Sequence, residues 1–290
     1  MTQNFTRRDM VKTSAAIAGG CWLGTSANQA AAASSNDKLN IAVVGIGGRG
    51  RANLNALGGE NIVALCDVDE QRAGNAYEKF PKAKKFTDFR RMFDAMDKQI
   101  DAVVVSTPDH THFHPSMAAM ELGKHLYCEK PMAHTVEETR RMTDMAAKSK
   151  VATQLGVQRH TIDNVHRVVE LVQAGAIGQV TEVHSWIGGS RGMPAAPTDR
   201  PAVPKHLDWD LWLGPAASRP YSPAFAPYNW RFWWDFGTGE TGNWGCHILD
   251  IPFWALGLKY PTRVDASGPS IDGQRTPKSM ATKFAFAADG

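Results

Sequence analysis

The stretch Leu39–Gly50, LNIAVVGIGGRG, restricts what this chain can become more than any other. Ile41-Ala42-Val43-Val44 is an unbroken apolar run, the pattern of a strand buried on both faces of a parallel sheet. It runs into Gly45-x-Gly47-x-x-Gly50, and no helix breaker follows until Gly58-Gly59. The order is strand, glycine turn, helix. In that order the first glycine allows the tight turn, the second lets backbone approach a pyrophosphate, and the third lets helix pack on strand. The helix start offers unpaired N–H groups and partial positive charge to phosphates. Ile46, Gly48 and Arg49 share the turn and are cofactor-contact candidates with the three glycines.

Three glycines alone would equally suit a structural turn; the continuation decides. A second apolar run, Asn61–Cys66, ends in Asp67, 22 residues after Gly45. An acid there accepts both ribose hydroxyls of adenosine and repels a 2′-phosphate, which favours NAD. Arg72, close by, leaves NADP open. Asp67 has a plainer use as a helix cap for the segment from Glu70, and one residue could serve both ends.

The rhythm then repeats. Asp69 to Phe80 reads as a polar helix, Phe86 marks a short strand, and Phe89-x-x-Met92-Phe93-x-x-Met96 is an apolar stripe that packs a core. Ile100–Ser106 is another buried strand, with a helix near Pro115 to Leu122. His125–Cys128 follows, then a capping box at Thr135 and Glu138, then a strand from Val151 to Gly156. Strands alternating with helices at this spacing make an α/β chain with a doubly wound parallel sheet. Such sheets bind ligands beyond the carboxyl ends of their strands. Two segments lie there: Ser106-Thr107-Pro108 with His112, and Glu129-Lys130-Pro131. Lys130, between an acid and a proline, is poorly placed for an idle side chain and is taken as functional.

The 290 residues, 43% of them hydrophobic, allow one large domain or two ordinary ones. The formal charge of +3 owes +2 to Arg7, Arg8 and Lys12 against Asp9, so nothing favours nucleic acid or an anionic surface. Cysteines 66, 128 and 246 have no metal spacing and cannot all pair. Asp109, His110, His112 and His114 cluster, but no ligand spacing joins them, and no metal is expected.

Residues 1–33 read as an address. Arg7-Arg8 precedes a mild apolar run, Thr13 to Gly24, and then Ala30–Ala33. Charge, short apolar core and small-residue cleavage site make a secretory leader, and the paired arginines resemble a twin-arginine signal. The run is too short to span a bilayer, so export to a periplasmic or other external location is expected, with no membrane anchor. That route carries folded proteins. Free NAD is scarce outside, so an exported enzyme must hold its nucleotide tightly and regenerate it within its own cycle.

The second half has its own pattern. Asp163 opens a helix with Val165, Val168, Val169 and Val172 on one face and Gly175 as stop, and Gln179–Ile187 reads as a strand. Eight of the sixteen prolines lie between Met193 and Pro227, so this stretch is a long ordered loop. Eight of the nine tryptophans fall between Trp186 and Trp254; most are expected to belong to packing, and one or two could stack on a substrate ring. Arg159, Trp230 and Arg231 are substrate-contact candidates, Arg231 being equally suited to a salt bridge. His247 follows Gly237-x-Gly239-x-x-Gly242 at a loop-to-helix entry; a lone histidine of this kind is more often structural, and a near-neutral imidazole would also suit proton transfer.

These motifs together resemble the Gfo/Idh/MocA family of glucose–fructose oxidoreductases and inositol dehydrogenases, in its exported twin-arginine subgroup. The residues that carry the likeness are Gly45-x-Gly47-x-x-Gly50, Thr107-Pro108 with His112, Glu129-Lys130-Pro131, Leu207–Pro215, Trp230–Gly237 and Gly242–Asp250. The resemblance implies a Rossmann domain over 38–155. It also implies a second α/β domain over 156–290, with an open, mainly antiparallel sheet. It places Lys130 at the nicotinamide, with a cis peptide before Pro131, and a D-x-x-x-H pair completing the site. At the matching positions stand Asn243 and His247. Asn243 departs from the pattern: it holds no charge and takes no proton, but it can orient Lys130 or substrate by hydrogen bonding. After strand-like Val264–Pro269 and Ala281–Ala287 the chain stops at Gly290, where such proteins usually continue. A shortened second sheet with an exposed edge, and homo-oligomers formed through it, are therefore expected.

Three functions fit. The first is an NAD(P)-dependent oxidoreductase acting on a secondary alcohol of a sugar or cyclitol, with His247 as base, Lys130 steadying the alkoxide and Asn243 orienting them. The second is a redox-assisted glycosidase or lyase with no net cofactor turnover. The third is a nucleotide-binding protein without catalysis.

Overall fold

The computed structural model describes residues 38–189 and 191–287; the expected leader lies outside the described residues. Six strands form one sheet: β1 (Asn40–Val44), β2 (Asn61–Cys66), β3 (Lys84–Phe86), β4 (Ala102–Val105), β5 (His125–Glu129) and β6 (Thr153–Gly156). Their order is β3-β2-β1-β4-β5-β6, and all adjacent pairs are parallel. The chain reverses its winding between β1 and β4, the point at which an open sheet of this kind holds its ligand.

Alternation along each strand splits the core in two. Ala42, Val44, Val103 and Val105 face one layer with Met92, Phe93 and Met96, the three buried residues of helix Phe89–Met96. Ile41, Val43, Leu65 and Val104 face the other with Leu54, Ala73 and Ala76 from helices Arg49–Ala56 and Glu70–Lys79. The methionine stripe is therefore core, as its spacing predicts. Asp69 rather than Asp67 caps helix Glu70–Lys79, its carboxylate accepting from Arg72 N at 3.0 Å. The expected capping box is present: Thr135 and Glu138 exchange bonds of 3.0 and 3.1 Å.

Beyond β6 the chain forms helices Asp163–Gln173, Trp209–Leu213 and Asp250–Leu256, and an antiparallel pair, β7 (Arg263–Ser267) with β8 (Ala281–Ala285). A third core of aromatic rings, Trp209, Trp212, Phe225, Trp233 and Phe236, some stacked and some edge to face, packs against Val68 after β2. It is pinned by backbone bonds across the boundary: Glu70 N to His206 O at 2.9 Å, Asp208 N to Val68 O at 2.9 Å, and His110 N to Phe236 O at 3.2 Å. Four of the eight tryptophans between Trp186 and Trp254 are thus packing, namely Trp209, Trp212, Trp230 and Trp233.

One expectation fails. Gln179–Ile187 adopts no regular structure, and Trp186 is 78% exposed. Alternating sequence makes a strand only where a neighbour takes up its N–H and C=O groups. Among the described residues none pairs with it.

Candidate active site

The glycine turn is held from behind. Gly45 N donates to Cys66 O at 2.9 Å, and Gly45 has φ +83°. A Cβ on Gly45 would lie 2.7 Å from the backbone of Ser106, and one on Gly50 would lie 1.9 Å from Gly45 O. Over Gly47 only the flexible Arg72 side chain intervenes, 2.6 Å from where a Cβ would stand. The open side of the turn is therefore backbone, and no side chain caps the helix that starts at Arg49. These residues fit a dinucleotide, with its pyrophosphate against Gly47, Gly48 and the helix start.

Asp67 is already engaged. Its Oδ2 accepts from Ile46 N at 2.7 Å and Gly47 N at 3.3 Å, and its Oδ1 from Asp69 N at 3.0 Å. Burial pushes this carboxyl up from its ordinary value, against the pull of those N–H groups. A carboxylate offers about four lone-pair sites and three are taken, so one is left on Asp67 for a ribose hydroxyl. The acid thus shapes the turn as well as facing the ribose position.

At the ends of β4 and β5 the site is organised by polar side chains. Glu129 is buried and accepts from Gln158 Nε2 at 2.7 and 2.9 Å and from Asn53 Nδ2 at 2.8 Å, with Arg49 Nε 3.5 Å away. Asn53 also donates to Ser106 Oγ at 3.0 Å, tying the first helix to both strand ends. His112 is 1% exposed, and its two ring nitrogens meet backbone carbonyls, Thr107 O at 2.8 Å and Pro131 O at 2.7 Å. It therefore clasps the two loops together, leaving only its ring edge for a ligand.

Two acceptors suit an imidazolium, which alone donates from both nitrogens. Burial opposes that charge, but the Cys128 sulfur, Asp109 and the Pro131 carbonyl outweigh it and raise the His112 pKa to about 9. A histidine raised on folding stabilises the protein fully below its unfolded value and ceases to as pH passes the folded one. Urea midpoints are therefore expected to decline from about pH 6.5 to about 9, and His112→Gln should remove that decline.

Lys130, at the end of β5 before a cis peptide to Pro131, donates from Nζ to Asn243 O at 2.6 Å and Asn243 Oδ1 at 3.3 Å. Burial holds its pKa below the ordinary lysine value; Arg231 acts the same way, and Cys246, Asp109 and Glu129 oppose. Asn243 lies in a π-helical turn, Thr241–Gly245, a distortion that often marks functional positions. His247 follows in helix Cys246–Ile248, its Nδ1 buried without a partner. Burial first, then the charges of Lys130 and Arg159, keep its pKa below 6.5.

All the residues expected at the site line one cavity of about 880 Å³, save the buried Ile46 and Gly50 at its base. Arg159 lies 5.0 Å from the Trp244 ring, and Arg231 lies 4.2 Å from Trp230 and 4.5 Å from Tyr228. Arg231 Nη1 donates to Tyr228 O at 2.9 Å, and the salt bridge open to it in the sequence is not formed among the described residues. Both guanidiniums border the cavity, where they suit an anionic or hydroxylated group. Sequence reasoning missed Asn53, Gln158, Asp109 and Glu240. Asp109 is buried and accepts from Thr238 Oγ1 at 2.7 Å and Thr238 N at 3.2 Å, fixing the loop before the π turn. Among the described residues no group of His, Cys, Asp or Glu could hold a metal ion, and no helix is long and apolar enough to cross a membrane.

Comparison with known proteins agrees with this fold. Residues 39–157 match the family model "Oxidoreductase family, NAD-binding Rossmann fold", and residues 164–277 match its companion "Oxidoreductase family, C-terminal alpha/beta domain", both of Gfo/Idh/MocA. Inositol 2-dehydrogenase 2 of Saccharopolyspora erythraea is 31% identical over 251 residues, 85% of this chain and 62% of that protein. A glycosyl hydrolase family 109 protein of Solibacter usitatus is 31% identical over 201 residues, 61% of this chain and 44% of that protein. The chain spans about half the length of the curated relatives it matches. A solved NAD-binding protein from Listeria innocua shares the fold, with a TM-score of 0.62 at 21% identity over 85% of this chain and 63% of its own. An NAD-binding Rossmann domain followed by an α/β domain of the same family makes this chain a member of the Gfo/Idh/MocA oxidoreductases.

Proposed function

We propose that the protein is an NAD-dependent oxidoreductase that interconverts a secondary alcohol of a sugar or cyclitol and its ketone. One observation carries this reading: Lys130, Asn243 and His247 meet in the cavity that the glycine turn opens into. Bound NAD would supply the hydride acceptor. The protein then has to orient the alcohol and take its hydroxyl proton as C–H cleavage begins. His247 is the base, since it borders the cavity and its depressed pKa keeps the imidazole neutral. Lys130 Nζ donates to the alkoxide that develops, and Asn243 holds Nζ in place. Arg159 borders the cavity, held over the Trp244 ring at 5.0 Å, and supplies a cationic surface for a polyhydroxylated ring.

A second reading, redox-assisted glycoside cleavage with NAD restored in each cycle, is favoured by the family 109 relative. Export in folded form, which the Arg7-Arg8 leader supports, would suit it, because the nucleotide never leaves. One experiment separates the readings. Purified protein is denatured and its released nucleotide identified by mass spectrometry, and intact protein is incubated with cyclitols, sugars and aryl glycosides. Net NADH formation supports the dehydrogenase, and aglycone release without net NADH supports the glycosidase. Neither, with nucleotide absent, would overturn both. For the active substrate, kcat is expected to fall on the acid side with a midpoint below pH 6.5, and His247→Ala should remove about 10²–10⁴-fold of the rate.

A further inference from the structure

We propose that Glu240, gripped by Arg191, is a positioning residue that locks the Asn243 amide with its oxygen toward Lys130, so that neutral dipoles rather than a carboxylate cradle this lysine. This rests on the reading of Lys130 as the group that meets the reacting alcohol.

A carboxylate only accepts, and a lysine nitrogen bonded to two oxygens only donates. Asn243 Nδ2 lies 3.1 Å from Glu240 Oε2, so the amide nitrogen must face the glutamate. Its Oδ1 is then left facing Lys130 Nζ at 3.3 Å. Reversing the amide would oppose donor to donor at the lysine and acceptor to acceptor at the glutamate. Glu240 therefore decides which end of Asn243 the lysine meets.

Glu240 is itself fixed. Arg191 Nε meets Oε1 at 2.7 Å and Arg191 Nη2 meets Oε2 at 3.0 Å, a planar two-point grip. The third nitrogen of that guanidinium donates to Tyr228 Oη at 2.5 Å. Arg191 comes from a segment without regular structure, moored by Met193 N to Thr276 O at 2.7 Å and Arg275 Nη1 to Pro194 O at 2.8 Å. The irregular arm thus reaches the lysine through three side chains, Arg191, Glu240 and Asn243.

The electrostatic consequence is specific. Arg191 offsets the charge of Glu240, and Asn243 brings none of its own. Around Lys130, burial and Arg231 disfavour the protonated form, whereas Cys246, Asp109 and Glu129 favour it. His247 stands in the same field and is held neutral partly by Lys130. An aspartate at 243 would add a carboxylate at the lysine and crowd Glu240 with a like charge.

The test reads Lys130 directly and needs no substrate. The full chain is pulse-labelled with acetic anhydride across a pH series, and the Lys130 peptide is quantified by mass spectrometry. NAD binding is followed by calorimetry as a check on folding. Asn243→Asp is expected to raise the labelling midpoint by about 1 unit or more. Glu240→Ala, which leaves the amide unanchored and free to swing its oxygen away from the lysine, should lower it by about half a unit. Glu240→Gln should bring it part of the way back to the wild-type value, because a glutamine oxygen in the Oε2 place still accepts from Nδ2, although its NH2 opposes Arg191 Nε and the guanidinium loses its counter-charge. Wherever turnover is measurable, the basic limb of kcat should move with the label while KM stays put. If Glu240→Ala and wild type share one midpoint, or Glu240→Gln behaves as Glu240→Ala, the proposal is overturned, whatever the enzyme's substrate. Should Glu240→Ala fail to fold, Asn243→Asp still decides, because it keeps Glu240 in place: an unmoved midpoint there overturns the proposal too.

Discussion

Gly50→Ala is expected to abolish NAD binding and to lower the thermal midpoint by about 6–12 °C, the equivalent of about 3 kcal/mol in a chain of this size. The added methyl would lie 1.9 Å from Gly45 O and 3.2 Å from Ser106 Cβ. Gly45 O is backbone, so relief requires the helix from Arg49 to back away from β1. The helix start moves with it, and its N–H groups lose their aim at the pyrophosphate. Gly47→Ala provides the contrast. There the methyl meets only the Arg72 side chain, which can swing aside. Stability should change by less than about 0.5 kcal/mol, while calorimetry should show NAD affinity reduced. Equal loss of stability in both variants would show that the turn is not built as described.

Lys130→Met is expected to cost about 10²–10⁴-fold in kcat with NAD affinity unchanged within a factor of about three, 1.4 kcal/mol being tenfold. Methionine keeps the length and apolar stem but offers the alkoxide no N–H and Asn243 no donor. Because Lys130 Nζ spends both observed bonds on Asn243 and none on the glycine turn, nucleotide binding should not register the change. Single-turnover kinetics with bound NAD would isolate the chemical step. A variant that loses NAD binding in proportion to rate would show that Lys130 acts on the cofactor alone.

How much of this is legible in the sequence depends on the range of the interaction. The Rossmann sheet is, because Ile41–Val44, Asn61–Cys66 and Ala102–Val105 each carry their burial in their own composition and each is followed at short range by its helix. Strand β6 begins at Thr153 rather than Val151, an end effect of the kind pairing decides. Gln179–Ile187 misleads because alternation states a preference and a partner strand must meet it. At the site, residues in compact motifs are readable: the glycines, Asp67, Lys130 and His247. Those missed act over long separations. Asn53 reaches Glu129 76 positions away, Gln158 reaches it across 29, and Arg191 reaches Glu240 across 49. Nothing near any of them in the chain announces the carboxylate each will meet. The spacing of Glu240 to Asn243, three residues along a turn, is the one local hint.

The wall of rings behind the cavity has a practical outcome. Trp212 and Trp230 border the space that the nicotinamide would share with substrate, and Trp209 and Trp233 stand behind them. Reduced nicotinamide absorbs where indoles emit, so energy would pass from these rings to NADH and not to NAD. The redox state of the bound nucleotide should therefore be visible as quenched indole emission, in real time and without any added dye. A cycle that reduces and reoxidises its nucleotide in place, invisible to a net absorbance assay, would show itself as a transient dip in that light.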